Sequence, residues 1–259
     1  MRSLTSYQDL IEDIAGRIIE AKGCSVALTG AGISTPSGIP DFRSPGGLWS
    51  RIDPSIFDIS YFHSRPDISW LYYKQLIEEL EGKQPNPAHK ALAQLEEMGL
   101  LKAVITQNID ALHQKAGNKK VLEIHGNAYR AVCTSCGARY SIYEALEKIS
   151  RGKAPSCSKC GGLLKPDVVF FGEPLPYRVY MDSLELARTC RVFISIGSSL
   201  VVQPAASLPW HAHSSGASLV IINLQETPLD SLADIVIHDR VERVLPEIVQ
   251  AIRRRIGVS

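Results

Sequence analysis

Four of the six cysteines fall into two pairs whose spacing suits a metal ion. Cys133 and Cys136 form one Cys-x-x-Cys pair, and Cys157 and Cys160 form a second, roughly 20 residues later. A glycine directly follows each pair, as a chain that turns tightly around a metal requires. The arrangement is typical of a two-knuckle zinc ribbon, in which four thiolates close the coordination sphere. We therefore predict one structural Zn²⁺ held by these four cysteines, rather than four unrelated thiols.

One histidine stands where a proton-transfer group would be useful. His125 follows the apolar run at residues 121–124 and precedes Gly126, where the regular pattern gives way to the cysteine-containing segment. An imidazole with an ordinary pKa of about 6.5 can accept a proton at neutral pH. Considered alone, a histidine before a glycine is more often structural, but the position of His125 at this boundary predicts a general base. Structural roles are predicted for the other histidines: His63, His89, His113, His211, His213 and His238.

A glycine-rich turn indicates a nucleotide site. Residues 25–28 predict a short buried strand, and the run Gly-Ala-Gly at residues 30–32 offers a bare backbone to a pyrophosphate. The common dinucleotide fingerprint needs a third glycine where Thr35 stands. Pro36 and Pro40 would also break the helix that follows such a turn in dehydrogenases. We therefore predict that a dinucleotide binds here, but in a different way from its binding in hydride-transfer enzymes.

The elements that must hold these residues alternate along the chain. Helices are predicted over residues 7–21, 69–80 and 245–256, and from residue 86 to Gly99; strands are predicted over residues 25–28, 102–106, 192–196, 219–223 and 235–237. Such alternation is typical of an α/β fold with a parallel, doubly wound sheet, whose ligands lie at the carboxyl ends of the strands. Polar or glycine residues follow three of these strands, at residues 107–110, 197–199 and 223–225. An aromatic stripe on the helix at residues 69–80 is predicted to be core rather than ligand contact.

Composition excludes several classes. The chain has 259 residues, of which 45% are hydrophobic and 21% charged, with a formal net charge of +1. This length suits one large domain with a small inserted module. The near-neutral charge argues against an electrostatic grip on nucleic acid or anionic lipid. No apolar run approaches the ~18 residues of a membrane span, so we expect a soluble, cytoplasmic protein. The oligomeric state cannot be predicted.

Taken together and in this order, the motifs closely resemble those of the sirtuins, a family of NAD-dependent protein-lysine deacylases, in the form of a prokaryotic-type minimal catalytic core. The resemblance covers nearly the whole chain and is carried by residues 30–34 (GAGIS), 38–43 (GIPDFR), 107–110 (QNID), 125–126 (HG), 165–173 (KPDVVFFGE) and 197–200 (GSSL), by Asn223 and by the four cysteines. It implies a Rossmann-type large domain at residues 1–125 and 166–259. It also implies a small zinc-binding domain at residues 126–165, to which residues 44–87 contribute. NAD and an acyl-lysine peptide would enter the cleft between the two domains.

The resemblance further implies roles for individual residues. His125 and Asn108 would be catalytic. The NAD co-substrate would be bound by Gly30, Ala31, Gly32, Ser34, Thr35, Ile39, Asp41, Phe42, Arg43, Gln107, Asn108, Ile109, Asp110, Gly197, Ser198, Ser199, Asn223, Leu224, Gln225 and Arg240. The substrate peptide would pair as a β-strand with Val168, Val169, Phe170, Phe171 and Gly172. Considered alone, Asp110 could instead cap a helix, and Arg43 could be a surface charge.

The activity implied by the resemblance is NAD-dependent protein-lysine deacetylation, with transfer of the acetyl group to ADP-ribose and release of nicotinamide. Two alternatives remain open: a mono-ADP-ribosyltransferase that uses the same pocket, and a non-catalytic NAD-sensing module that binds chromatin. Sirtuins that remove succinyl or malonyl groups carry Tyr-x-x-Arg at the acyl pocket. When this chain is aligned on Trp70, Tyr73 is followed by Leu76 in place of that arginine. We therefore expect acetyl and longer aliphatic groups to be preferred, with Lys74 as the alternative cation.

Overall fold

The computed structural model describes residues 6–41, 46–47, 50, 52–149 and 153–258. The strands are β1 (Ser25–Thr29), β2 (Leu101–Thr106), β3 (Val121–Glu123), β4 (Gly126–Cys133), β5 (Arg139–Ser141), β6 (Leu164–Val168), β7 (Val192–Ile196), β8 (Ser218–Ile222) and β9 (Ile235–Ile237). The helices are α1 (Tyr7–Glu20), α2 (Ile59–Ser64), α3 (Pro66–Leu80), α4 (Pro87–Glu97), α5 (Leu112–Ala116), α6 (Ile142–Glu147), α7 (Tyr177–Thr189), α8 (Leu208–Ser214) and α9 (Val241–Ile256).

The larger sheet has six strands in the order β3-β2-β1-β7-β8-β9, and all its pairs are parallel. Counted along the chain within this sheet, the order is 3-2-1-4-5-6, the Rossmann order. Helices α1, α4 and α9 pack on one face, whereas α7 and α8 pack on the other. The predicted doubly wound α/β fold is confirmed. The strand order reverses between β1 and β7, which is where ligands bind in such sheets.

Local sequence accounts for where the helices begin and end. Ser6 and Asp9 form a reciprocal capping box at the start of α1, and Gly23 follows its end with a φ of 80°. Asn86 caps α4 by accepting the N–H of Ala88, with Pro87 in the first turn. These caps leave the apolar stripes to face the sheet, so both helices form at the predicted positions.

The last helix begins earlier than predicted. The sequence predicted a start near Leu245, but α9 starts at Val241 and contains Pro246. Proline removes one N–H from a helix interior, so here only the bond to the carbonyl of Glu242 is lost. The buried side chains of Val241, Val244 and Leu245 hold the first turn against the core in spite of that loss.

A second, antiparallel sheet has the strand order β5-β4-β6. It shares one apolar cluster with α2, α3 and α6. The indole of Trp70 donates to the carbonyl of Leu164 (2.8 Å), and the hydroxyl of Tyr73 donates to that of Ala128 (3.1 Å). The core position predicted for the stripe of α3 is therefore confirmed for Trp70 and Ile77, whereas Tyr73, Leu76 and Leu80 also line a cavity. None of the helices in the described part of the chain is long and apolar enough to cross a membrane.

Candidate functional site

Two glycine loops meet at the point where the strand order of the large sheet reverses. Gly30 donates its N–H to Ile196 (3.0 Å), and Gly32 donates to the carbonyl of Gly197 (2.8 Å). A Cβ on Gly30 or Gly32 would lie within 3.0 Å of Gly197 backbone atoms, and Gly197 itself has a φ of 58°. The glycines after β1 are therefore required for the contact between the two loops, a reason that the sequence did not reveal.

A polar cleft of about 550 Å³ opens above these loops. It is lined by fourteen of the residues predicted to bind the cofactor: Gly30, Ala31, Gly32, Thr35, Asp41, Gln107, Asn108, Gly197, Ser198, Ser199, Asn223, Leu224, Gln225 and Arg240. Phe42 and Arg43 lie outside the described residues. The volume falls within the range of small-molecule sites, and the N-terminus of α9 borders the cleft, where its dipole favours an anionic ligand. The donor set and the size fit a dinucleotide.

A second, more apolar cavity of about 270 Å³ lies beside the cleft. Its walls include all five residues predicted to bind the peptide, the remaining predicted residues Ser34, Ile39, Ile109 and Asp110, and Tyr73, Leu76 and Leu80 of α3. Among the described residues that line it, Glu79, Asp110 and Glu173 carry carboxylates and none is lysine or arginine. Lys74 lies on the exposed side of α3, 3.9 Å from Glu78, so it does not replace the missing arginine.

The two cavities share a short border. Ala31, Gln107, Asn108, His125 and Val202 line both of them. Both residues predicted to be catalytic therefore lie where the contents of the cleft and of the cavity would meet.

His125 is held in one orientation from two sides. Its Nδ1 lies 3.0 Å from the carbonyl oxygen of Gln107, and its own carbonyl accepts the N–H of Val169 (2.9 Å). Because a carbonyl oxygen can only accept, Nδ1 carries the proton and Nε2 keeps the lone pair. Burial lowers the pKa of the imidazole below its usual value, while the bond to Gln107 opposes that shift. The neutral form that a base requires is therefore favoured.

The glycine after His125 has a structural reason. Gly126 has a φ of 84°, and a Cβ there would clash with the carbonyl of Asp167. A larger residue would push β4 and β6 apart directly beside the imidazole. The base therefore lies beside a close approach of β4 to β6 that only glycine at position 126 permits.

Asn108, Ser34 and Asp110 form a buried polar chain beside His125. The Nδ2 of Asn108 donates to the carbonyl of Gly30 and to the Oγ of Ser34, both at 3.1 Å, and Ser34 donates to Oδ2 of Asp110 at 2.6 Å. The contact with a carbonyl fixes which end of the Asn108 amide carries the nitrogen. Burial raises the pKa of Asp110, and its hydrogen bonds from Ser34 and Leu112 oppose this.

Asp110 contacts both the start of α5 and the polar chain, but it is not the helix N-cap that the sequence allowed, because Ala111 holds that position. Its Oδ1 accepts the N–H of Leu112 (2.9 Å), the first residue of α5, so it does support a helix start. Its other oxygen faces Ser34, and the residue lines the apolar cavity. One carboxylate thus fixes α5 and the polar chain that orients Asn108.

The segment predicted to pair with a peptide already uses part of its main chain. Phe171 donates its N–H to Phe57 (2.8 Å) and accepts that of Ile59 (3.0 Å). Within the described residues, the carbonyl of Val169 and the backbone of Gly172 make no hydrogen bond. A peptide strand could therefore pair with the carbonyl of Val169 and with the backbone of Gly172. The backbone of Phe171 is already bonded to Phe57 and Ile59.

The four predicted metal ligands come together in space. Their sulfur atoms all lie within 4.8 Å of one another, with Cys133 and Cys160 at 3.5 Å and Cys136 and Cys157 at 3.7 Å. Four thiolates around a tetrahedral Zn²⁺ with Zn–S bonds of about 2.3 Å stand roughly 3.8 Å apart, so the geometry fits zinc. The glycines after both pairs have positive φ angles, as predicted for knuckles.

Sequence reasoning missed some of the lining residues. Val202 borders both cavities, and Phe57, Leu175 and Pro204 line the apolar one. They are isolated apolar or loop residues outside any recognisable pattern. Only the folded structure shows that they line the cavities.

Comparison with known proteins places the chain. The model of the Sir2 family matches residues 30–204. NAD-dependent protein deacetylase 1 of Pyrobaculum aerophilum is 52% identical over 246 residues, which cover 95% of this chain and 96% of the relative. A solved structure described as Sir2–p53 peptide–NAD⁺ has a TM-score of 0.85 and 41% identity, and covers 96% of this chain and 99% of its own. A structure of Sir2Tm bound to a propionylated peptide has a TM-score of 0.84 and 41% identity, and covers 96% of this chain and 99% of its own. This chain belongs to the Sir2 family, the sirtuins.

Proposed function

We propose that this protein is an NAD-dependent protein-lysine deacetylase, which transfers the acetyl group of an acetyl-lysine to ADP-ribose and releases nicotinamide. The observation that carries the proposal is the border between the two cavities, where His125 and Asn108 lie. A polar cleft on one side suits NAD, and an apolar cavity on the other suits a neutral acyl-lysine. The relatives, which are NAD-dependent protein deacetylases, and the peptide-bound structural neighbours support the same activity.

The residues at the border supply the chemistry that such a transfer needs. NAD brings a nicotinamide–ribose bond that can be broken, and the acyl oxygen, a poor nucleophile, must then meet the anomeric carbon. His125, with its lone pair on Nε2, would take the proton of a ribose hydroxyl. Asn108, oriented through Gly30 and Ser34, would hold the ribose and nicotinamide in place. The NAD contacts of the individual lining residues are part of this proposal.

Three further assignments belong to the proposal. We assign residues 1–125 and 166–259 to the large domain and residues 126–165, with help from residues 44–87, to the zinc-binding domain. The separate apolar clusters of the two sheets support this division. We also propose a cytoplasmic location, which the six cysteines support because none forms a disulfide. Binding of the peptide as a β-strand is supported by the groups at Val169 and Gly172.

The decisive experiment incubates the purified protein with an acetyl-lysine peptide, with and without NAD, and weighs the peptide by mass spectrometry. We expect the peptide to lose the mass of an acetyl group only when NAD is present. A peptide or protein that instead gains ADP-ribose would identify the alternative, a mono-ADP-ribosyltransferase. Unchanged masses together with tight NAD binding would identify the non-catalytic alternative.

The apolar cavity, here called the acyl cavity because the acyl group would enter it, leads to a prediction on substrate specificity. A carboxylate carried into this cavity would lose hydration, and the described residues of the cavity wall offer it carboxylates but no lysine or arginine. Wild type should therefore prefer acetyl-lysine to succinyl-lysine, and Leu76→Arg should shift the kcat/KM ratio toward succinyl by about 10–100-fold, the worth of one charge-assisted bond. The measurement compares acetyl and succinyl versions of one peptide.

Lys74→Met provides the matched control, since Lys74 lies on the exposed side of the same helix. Its acetyl-to-succinyl ratio should equal that of wild type. A wild-type preference for succinyl that disappears in Lys74→Met would contradict the assignment of Leu76 to the acyl site.

A further inference from the structure

Lys165 is a buried lysine that lines neither cavity. Its side chain is only 8% exposed, and its ammonium group donates to the carbonyls of Val168 (2.6 Å) and Pro166 (3.2 Å) and contacts Oε2 of Glu173 (2.8 Å). These three acceptors match the three hydrogens of an ammonium group. The ring of Phe170 lies 4.2 Å from the same nitrogen. The lysine is thus fully satisfied inside the protein, without any ligand.

Glu173 completes the arrangement from the far end of the segment. Its Oε2 accepts the N–H of Phe170 (2.8 Å) as well as the contact from Lys165, and its own N–H donates to the carbonyl of Phe170 (3.0 Å). The ion pair therefore joins residue 165 to residue 173 across the segment that walls the acyl cavity. Phe170 is 3% exposed and packs edge-on against Phe57 and Phe62.

Stability alone is a weak reason for a lysine at this position. Replacing a buried ion pair by apolar residues of similar size is often neutral or stabilising, because both charges must be desolvated. What an apolar side chain cannot do is hold the carbonyl of Val168 and the turn at Glu173 at fixed distances. Between those two points, the carbonyl of Val169 and the backbone of Gly172 make no hydrogen bond within the described residues.

We infer that Lys165 is a positioning residue for the acyl-lysine substrate: with Glu173 it sets the path of residues 168–172 before the substrate binds. This inference rests on the proposed function and concerns the peptide side only. Burial lowers the pKa of Lys165, but Glu173 opposes that shift, in keeping with a charged pair. A segment ordered in advance loses less conformational entropy when a peptide docks.

The test is Lys165→Met, which keeps the length and apolar stem of the side chain. We expect the Kd of a fluorescein-labelled acetyl-lysine peptide, measured by anisotropy, to rise about 10-fold or more. The Kd of NAD, measured by calorimetry, should stay within about twofold because neither Lys165 nor residues 168–172 line the NAD cleft. Hydrogen exchange of the Phe170 amide should be faster in the free variant, since its acceptor Glu173 is no longer held.

Two further variants complete the design. Lys165→Arg restores the charge and should recover most of the peptide affinity, and Lys120→Met removes an exposed lysine and should match wild type. If Lys165→Met does not fold, Glu173→Gln replaces it, because a glutamine still accepts from Phe170 while removing the charge; its peptide Kd should rise as well.

The outcomes separate the inference from the proposed function. A wild-type protein that neither binds nor deacetylates the peptide removes the proposed function, and the inference with it. A wild type that does both, beside a folded Lys165→Met or Glu173→Gln variant of equal peptide affinity, overturns the inference alone. Equal losses of peptide and NAD affinity would also overturn it, because they would indicate general destabilisation.

Discussion

Replacing His125 by alanine should lower NAD-dependent deacetylation by about 10²–10⁴-fold, the usual contribution of a positioned general base. Among the described residues that line both cavities, only His125 is titratable, and the main-chain carbonyl of Gln107 holds its imidazole in place. Its removal leaves the zinc cluster and the apolar cores untouched, so folding and zinc content should not change. Single-turnover kinetics with an acetyl-lysine peptide measure the effect.

His63→Ala is the matched control, because His63 is exposed on α2 and lines neither cavity. It should keep wild-type turnover. If His125→Ala also keeps near wild-type turnover, the proton is taken by another group and the assignment of His125 as the base is wrong.

The pH profile gives an independent test of the same role. A general base acts in its neutral form, so kcat/KM should fall as the pH falls through the pKa of His125 in the free enzyme. Burial lowers that pKa from the ordinary value of 6.5, so the acidic limb should have its midpoint below 6.5. A midpoint above 6.5 would mean that a carboxylate or another partner stabilises the charged imidazole, contrary to the contacts observed here.

The alternation of strands and helices could be predicted because it depends on local pattern. β1 and β7 are mostly apolar and are buried along their whole length, as is usual for central parallel strands. The cysteine knuckles were equally visible, since the spacing of the ligands and the glycines is fixed by the metal. The family resemblance then supplied the roles of His125 and Asn108, which no pattern of hydrophobicity contains.

Other features depend on contacts between distant parts of the chain and could not be predicted. The glycines at positions 30 and 32 pack against Gly197, more than a hundred residues away. The main chain of Phe171 is taken up by residues 57 and 59, which restricts the expected pairing with a peptide. The helix predicted from residue 245 starts at Val241 instead, because the packing of Val241 against the core extends α9 toward its N-terminus. In each case the conformation depends on contacts with residues that are distant in sequence, and local sequence patterns do not contain those residues.

Loss of one zinc ligand should have the second large effect. Cys157→Ala removes a buried member of the four-sulfur cluster, and three thiolates leave the coordination sphere of a structural zinc incomplete. We expect zinc bound by the purified protein to fall from one equivalent to nearly none. Structural zinc contributes about 10–16 kcal/mol in small modules, which matches or exceeds the ~5–15 kcal/mol stability of a whole domain. The sheet β5-β4-β6 should therefore unfold.

Loss of the zinc ligand should weaken binding of the acetyl-lysine peptide much more than binding of NAD. This difference tests the structural role of the metal. β6 leads directly into residues 168–172, and Phe170 shares an apolar cluster with Cys133 and Cys157, so affinity for an acetyl-lysine peptide should be lost. The glycine loops after β1 and β7 belong to the other sheet, so NAD binding, measured by calorimetry, should fall much less. Cys24→Ala, a cysteine outside the cluster, should keep both zinc and activity. Full activity in a zinc-free preparation of Cys157→Ala would show that the metal does not hold the peptide side of the site together.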